Sequence, residues 1–190
     1  MAVGSVSAAC LSCHDGVAAM NVMINQPGSG GYNPTGAAWS GTWSGAGQTG
    51  GLLGTATSIT RIGTDLRNDH PIGNQYAGGP RLATSLPAAP ADYTDYKDAD
   101  FKTARSATIN SQPVWWVDSG TQGNGRQKTD VQLYTRASVY IGGTTSPLPS
   151  TTPQPYVECA SCHDPHSTTN PTFLRVSNAG SGLCLTCHTK

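Results

Sequence analysis

Residues 158–166 read ECASCHDPH and residues 182–188 read GLCLTCH. Both contain Cys-x-x-Cys-His, and a third copy stands near the start of the chain as CLSCH, Cys10–His14. The three copies use all six cysteines. Each is a c-type haem attachment signature: two thioethers hold the porphyrin vinyls, and the adjacent histidine becomes an axial iron ligand. The sequence therefore predicts three covalently bound c-type haems. Their attachment points are Cys10 and Cys13, Cys159 and Cys162, and Cys184 and Cys187. The proximal iron ligands are His14, His163 and His188.

Other chemistries of paired cysteines fit less well. A disulfide framework does not require histidine after every second cysteine. A closed zinc site needs four ligands, so three half-sites would leave one unpaired. A dithiol redox motif is usually single and sits in a βαβ unit, a pattern this chain lacks.

The composition agrees with a cofactor-built interior. The 190 residues suffice for one domain, yet Leu, Ile, Val and Phe supply only 29 of them, about 15%. That is below the roughly 20% typical of disorder-prone chains. Net charge is zero, so self-repulsion does not account for the shortage. Three porphyrins would fill the gap, each contributing roughly 10 kcal/mol of gross apolar burial. The expected fold is one domain over residues 1–190, mostly irregular coil wrapped around three haems. Short helices are expected at the haem motifs, together with a small β-hairpin.

Along the chain, residues 1–26 form a first haem segment. Ala18 to Met23 follow the motif without Gly or Pro, and a short helix is expected there. Residues 27–110 read as a loop region that includes His70, with Tyr32, Trp39 and Trp43 set among Gly, Ser and Thr. Those rings are expected to pack on haem or on a neighbouring molecule. Residues 111–145 carry two β-type runs, Val114–Val117 and Asp130–Thr135, separated by Asn124-Gly125, a hairpin signal. The stretch Asp118 to Asn124 is a degenerate calcium-loop pattern without its terminal Glu, so calcium is not expected. Residues 142–155 read as a Gly/Thr/Pro-rich linker, and 156–190 as a paired haem module.

The stretch ECASCHDPH followed by FLRVSNAGSGLCLTCH resembles the doubled CxxCH module of multihaem c-type cytochromes. CLSCHDG and NDHPIG are similar to members of that group found in metal-reducing prokaryotes, some of which polymerise into extracellular cytochrome filaments. The resemblance implies electron transfer, and it includes nanowire-type assembly among the outcomes. It covers about 60 residues; the middle of the chain resembles no named family.

Three six-coordinate irons need six axial ligands, and the chain has five histidines. His70 and His166 are therefore expected to be distal ligands. His166 lies three residues after His163 on a turn interrupted by Pro165, so it should serve another haem, most simply that on Cys184 and Cys187. One position stays unfilled. Met20 or Met23, close to the first motif, could supply a thioether and raise that haem's potential; they could equally only pack it, and the position could be open.

Haem is joined to such motifs outside the cytoplasm, so an exported protein is expected, extracellular or periplasmic. MAVGSVSAAC shows neither a basic n-region nor an apolar h-region, consistent with a removed signal or an artificial start. No apolar run approaches the roughly 18 residues of a membrane span. Eleven basic and eleven acidic residues offer no nucleic-acid footprint. The leading expectation is an electron carrier, not an enzyme, that assembles head to tail into a filament. Its partners would be copies of itself, one of which could donate an axial ligand, and redox proteins or extracellular acceptors. The alternatives are a soluble periplasmic shuttle and a haem enzyme with an open iron.

Overall fold

The computed structural model describes residues 3–15, 17, 22–23, 37–38, 48–49, 52–54, 57, 59–66, 71–82, 92–121, 125–139 and 148–189. His70, Met20, Tyr32, Trp39, Trp43 and Asn124 lie outside them, as does the side chain of Met23. The chain forms two compact units: Met1–Ser7 with Pro71–Lys190, and Ala8–His70.

The Ala8–His70 unit holds most of helix α1 (Ser5–His14), which carries the whole first motif. Its strands are two-residue pieces. β1 (Val22–Met23) pairs with β2 (Ala37–Ala38), and β3 (Gln48–Thr49) pairs with β4 (Leu52–Leu53), both antiparallel. The helix expected after the motif is thus corrected at its end: the β-branched Val22 and its neighbour Met23 are extended and paired. Helix α1 covers the motif and the residues before it.

The larger unit is built on a five-stranded antiparallel sheet in the order β5-β9-β8-β7-β6. β5 is Asn74–Gln75, β6 Arg105–Ile109, β7 Gln112–Val117, β8 Val131–Val139 and β9 Leu148–Val157. This corrects the expectation of a mostly irregular chain with one hairpin. The hairpin of residues 114–117 and 130–135 is present, as β7 against β8 with Trp115 opposite Leu133 and Val117 opposite Val131. Two further strands extend it. β6 joins β7 through a two-residue turn in which Asn110 and Ser111 have φ of +50° and +62°. Positive φ at both positions is what a type I′ hairpin turn requires.

Of the linker expected over 142–155, β9 overturns the part from Leu148 on; 142–147 lie outside the described residues. β9 contains Pro149, Pro153 and Pro155, which cannot donate to a ladder. The strand tolerates them because β5 covers only its last residues, pairing Asn74 with Val157 and Gln75 with Tyr156. Among the described residues no other strand pairs with that side of β9, and where that edge is open a missing N–H leaves nothing unpaired. A register shift between Arg136 and Ser138 lets β8 follow it.

The expectation that porphyrins must supply the core is also corrected for this unit. Tyr76, Tyr93, Tyr96, Trp115, Val117, Val131 and Leu133 form a buried cluster with Ala77 and Ala104. Rings of Tyr76, Tyr93 and Tyr96 meet edge-on or tilted at 5.3–6.1 Å between centroids. Aromatic side chains carry more apolar area per residue than aliphatic ones, so a few replace many Leu and Ile. Burial pushes the Tyr76 and Tyr93 hydroxyls well above their ordinary pKa.

Candidate haem-binding site

All three motifs lie on helices. α1 carries Cys10, Cys13 and His14; α2 (Cys159–Cys162) and α3 (Gly182–Cys187) each end at the motif histidine. The two later motifs share one local geometry. His163 N–H donates to the Cys159 carbonyl at 3.1 Å, and His188 N–H to the Cys184 carbonyl at 3.0 Å. Both histidines then leave the helix in extended conformation, with φ and ψ of −104° and 136° at His163 and −95° and 150° at His188. A helical turn sets its two cysteines three residues apart on one face, and the exit directs the imidazole away from the helix.

None of the six cysteines is joined in a disulfide. They are not equivalent. Burial pushes the Cys162 thiol up to about 11, reinforced by the nearby Cys184 thiol. Burial pushes Cys187 up to about 12, reinforced by Cys162. The second and third motifs therefore lie within electrostatic reach of one another. Cys187 also packs against the aromatic core.

Two proximal imidazoles are oriented by backbone carbonyls. His14 Nδ1–H donates to the Thr60 carbonyl at 2.6 Å, and His163 Nδ1–H donates to the Thr172 carbonyl at 2.7 Å. This places the proton on Nδ1 and leaves the Nε2 lone pair for a metal. The loops that supply the carbonyls are held to the motifs. Ile62 N–H donates to the His14 carbonyl at 2.8 Å, and Arg175 N–H to the Cys162 carbonyl at 2.8 Å. Thr172 has φ of +55° and Phe173 +60°. His188 is held otherwise: its ring lies 4.1 Å from that of Phe101. None of these supports had a sequence signal, because two act through main-chain carbonyls and the third comes from a residue 87 positions away.

His166 is exposed, on the turn after α2. Asp164 organises that turn. Its carboxylate accepts the His166 N–H at 3.0 Å, and its own N–H donates to the Phe173 carbonyl at 2.7 Å. The His166 N–H, helped by Arg175 and Lys128, holds the Asp164 carboxyl below its ordinary range. Ahead of α2, the buried Glu158 carboxylate accepts from the Gly4 N–H at 3.1 Å, from the Ser7 hydroxyl and from the Arg136 guanidinium. Ser7 Oγ in turn accepts the Cys159 N–H at 3.0 Å. Residues 4–7 are so tied to the start of the second motif.

The donor set fits a covalently held haem. Paired thiols sit one helical turn apart, and at His14 and His163 the following imidazole keeps Nε2 available. Cys10, Cys13, Cys159, Cys162, Cys184 and Cys187 would hold the porphyrins, and His14, His163 and His188 the irons. Among the described residues no three or more His, Cys, Asp or Glu form a group that could hold a bare metal ion. None of these helices is long and apolar enough to cross a membrane.

Residues 154–190 match the family described as the doubled CXXCH motif. No curated protein matches the chain. The matched segment contains the second and third motifs; the first lies outside it. Over that segment the chain is similar to c-type cytochromes, and its CXXCH motifs indicate covalently bound haem c and a part in electron transfer.

Proposed function

We propose that this protein is an electron carrier holding three haems c per chain, acting outside the cytoplasm and not as an enzyme. The observation that carries the reading is the shared geometry of the second and third motifs together with their mutual proximity. Two haems attached there would lie side by side, the condition for rapid electron exchange between them. The haem supplies a one-electron couple when bound. The chain's own residues attach it, orient its axial imidazoles and exclude water. The first motif repeats the pattern on α1, with the same Nδ1-to-carbonyl support for its histidine as at His163.

His70 and His166 are proposed as distal ligands, with Met20 or Met23 as candidates for the remaining position. For His166 the reading is supported by its place on an exposed turn that Asp164 fixes. We further read the protein as assembling head to tail with copies of itself. Support comes from the resemblance to filament-forming cytochromes and from the location of the first motif's cysteines in a different compact unit from the other four. A heterologous contact that does not close generates an open filament.

Intact mass under denaturing conditions tests the haem number: the reading expects the polypeptide mass plus three haems, and a smaller increment in fully matured protein overturns it. Electron microscopy of native protein tests assembly. Filaments support the head-to-tail reading; a monomer at high concentration with a complete ligand set leaves the soluble carrier in its place.

A further inference from the structure

We propose that Phe101 is a positioning residue for the axial imidazole of His188 and that it sets the reduction potential of the third haem; this rests on the reading of His188 as an iron ligand. The phenyl and imidazole centroids are 4.1 Å apart with their planes inclined by 51°. That contact is built from the backbone outward. Phe101 and His188 form an antiparallel bridge. Lys102 N–H donates to the Cys187 carbonyl at 2.7 Å, and Thr189 N–H to the Asp100 carbonyl at 2.8 Å. The Thr189 hydroxyl donates to the same Asp100 carbonyl at 3.1 Å. Residues 100–102 therefore clamp residues 187–189, across the end of the third motif.

The clamp is itself fixed by the aromatic core. The Tyr96 hydroxyl donates to the Phe101 carbonyl at 2.7 Å, and the Tyr76 hydroxyl to the Lys102 carbonyl at 2.7 Å. The edge of the Phe101 ring meets Tyr76 at 5.2 Å and 83°. Phe101 thus has little freedom to follow a moving imidazole; it dictates where the imidazole rests.

The other two proximal histidines are held by a hydrogen bond from Nδ1 to a carbonyl. Such a bond fixes the ring and makes it a stronger donor to iron. A phenyl ring also fixes the imidazole, but it offers the imidazole N–H no acceptor; a smaller side chain there would let water accept from it. A weaker donor favours the reduced, less charged state. The third haem is accordingly expected at a higher potential than a haem held in the manner of His14 or His163.

Phe101→Leu removes the ring and Phe101→Tyr keeps it. Both are compared as mature holoprotein by denaturing mass, low-temperature electron paramagnetic resonance and spectroelectrochemical titration. Phe101→Leu is expected to retain every haem and to remain low-spin. One midpoint should move to more negative potential, and one low-spin signal should change its largest g value. Phe101→Tyr should restore both to their original positions. A lowered melting temperature with unchanged midpoints and g values would show a purely structural role and overturn the proposal. If Phe101→Leu matures with fewer haems, Phe101→Met carries the same test with a side chain of similar volume. His188→Ala separates the underlying reading: retention of every low-spin signal in that variant refutes His188 as a ligand, whatever Phe101 does.

Discussion

His163 donates its Nδ1–H to the carbonyl of Thr172 across a 2.7 Å bond, and Thr172 can offer that carbonyl because its backbone sits at φ +55°. A β-branched residue in the left-handed region is strained by about 1–3 kcal/mol. The loop tolerates that strain while orienting the imidazole of the second motif, a pattern common at functional sites.

Thr172→Gly should therefore be no less stable than the parent and up to about 1 kcal/mol more stable, since relief of strain outweighs the added freedom of the unfolded chain. Thr172→Pro cannot adopt the positive φ and should lose more than about 1 kcal/mol. Denaturant titration followed by haem absorption reads both; a strongly destabilised Gly variant would contradict the strain argument.

The buried Glu158 carboxylate faces Arg136, which lies 4.4 Å over the Tyr156 ring. Removing either charge breaks this ion pair, while Glu158 keeps the Gly4 and Ser7 hydrogen bonds. Glu158→Ala and Arg136→Ala should each cost at least about 1 kcal/mol. The double variant should cost clearly less than the sum of the two, because the ion pair is lost only once. Additive losses in a double-mutant cycle would rule out the pair as a coupled unit.

A methyl group on Gly182 would lie 2.6 Å from the Ser177 carbonyl oxygen, a main-chain atom with no side-chain rotation to move it aside. Gly182→Ala should thus displace the start of α3 and destabilise the third motif. Hydrogen exchange is the suitable measurement. Faster exchange should appear over residues 177–188, with the β7–β8 hairpin unchanged. Uniform protection across both regions would show that the segment absorbs the methyl.

Tyr76 and Tyr93 keep their protons in the folded protein well above their ordinary value, because burial disfavours the phenolate. The unfolded chain releases the same protons near pH 10. Their contribution is whole below about pH 10 and is lost as pH rises beyond it. Each tyrosine should remove about 1.4 kcal/mol of stability per pH unit above that point. Alkaline titration should show the exposed tyrosinates first and these two only as the fold opens. Early ionisation of every tyrosine without unfolding would disprove the burial argument.

Much of the site could be read directly from residue order. Cys-x-x-Cys-His is a local pattern, so the motif cysteines and histidines could be picked out without knowledge of the fold. The β7–β8 hairpin was legible for the same reason, since Val114–Val117 and Asp130–Thr135 are β-type runs close in sequence. The sheet around it was not. β9 was hidden by its prolines, which the ladder tolerates where, among the described residues, β5 pairs only with its last two residues. The core was misjudged because a count of Leu, Ile, Val and Phe omits Tyr76, Tyr93, Tyr96 and Trp115, which fill the interior.

The chain's order alone thus determined which thiols and imidazoles can bind haem, because attachment depends on residues within one turn of helix. Only the tertiary structure decided how those imidazoles are held. Thr60, Thr172 and Phe101 reach His14, His163 and His188 from 46, 9 and 87 residues away. They act through carbonyl direction and ring contact, and these exist only once the backbone has folded back on itself.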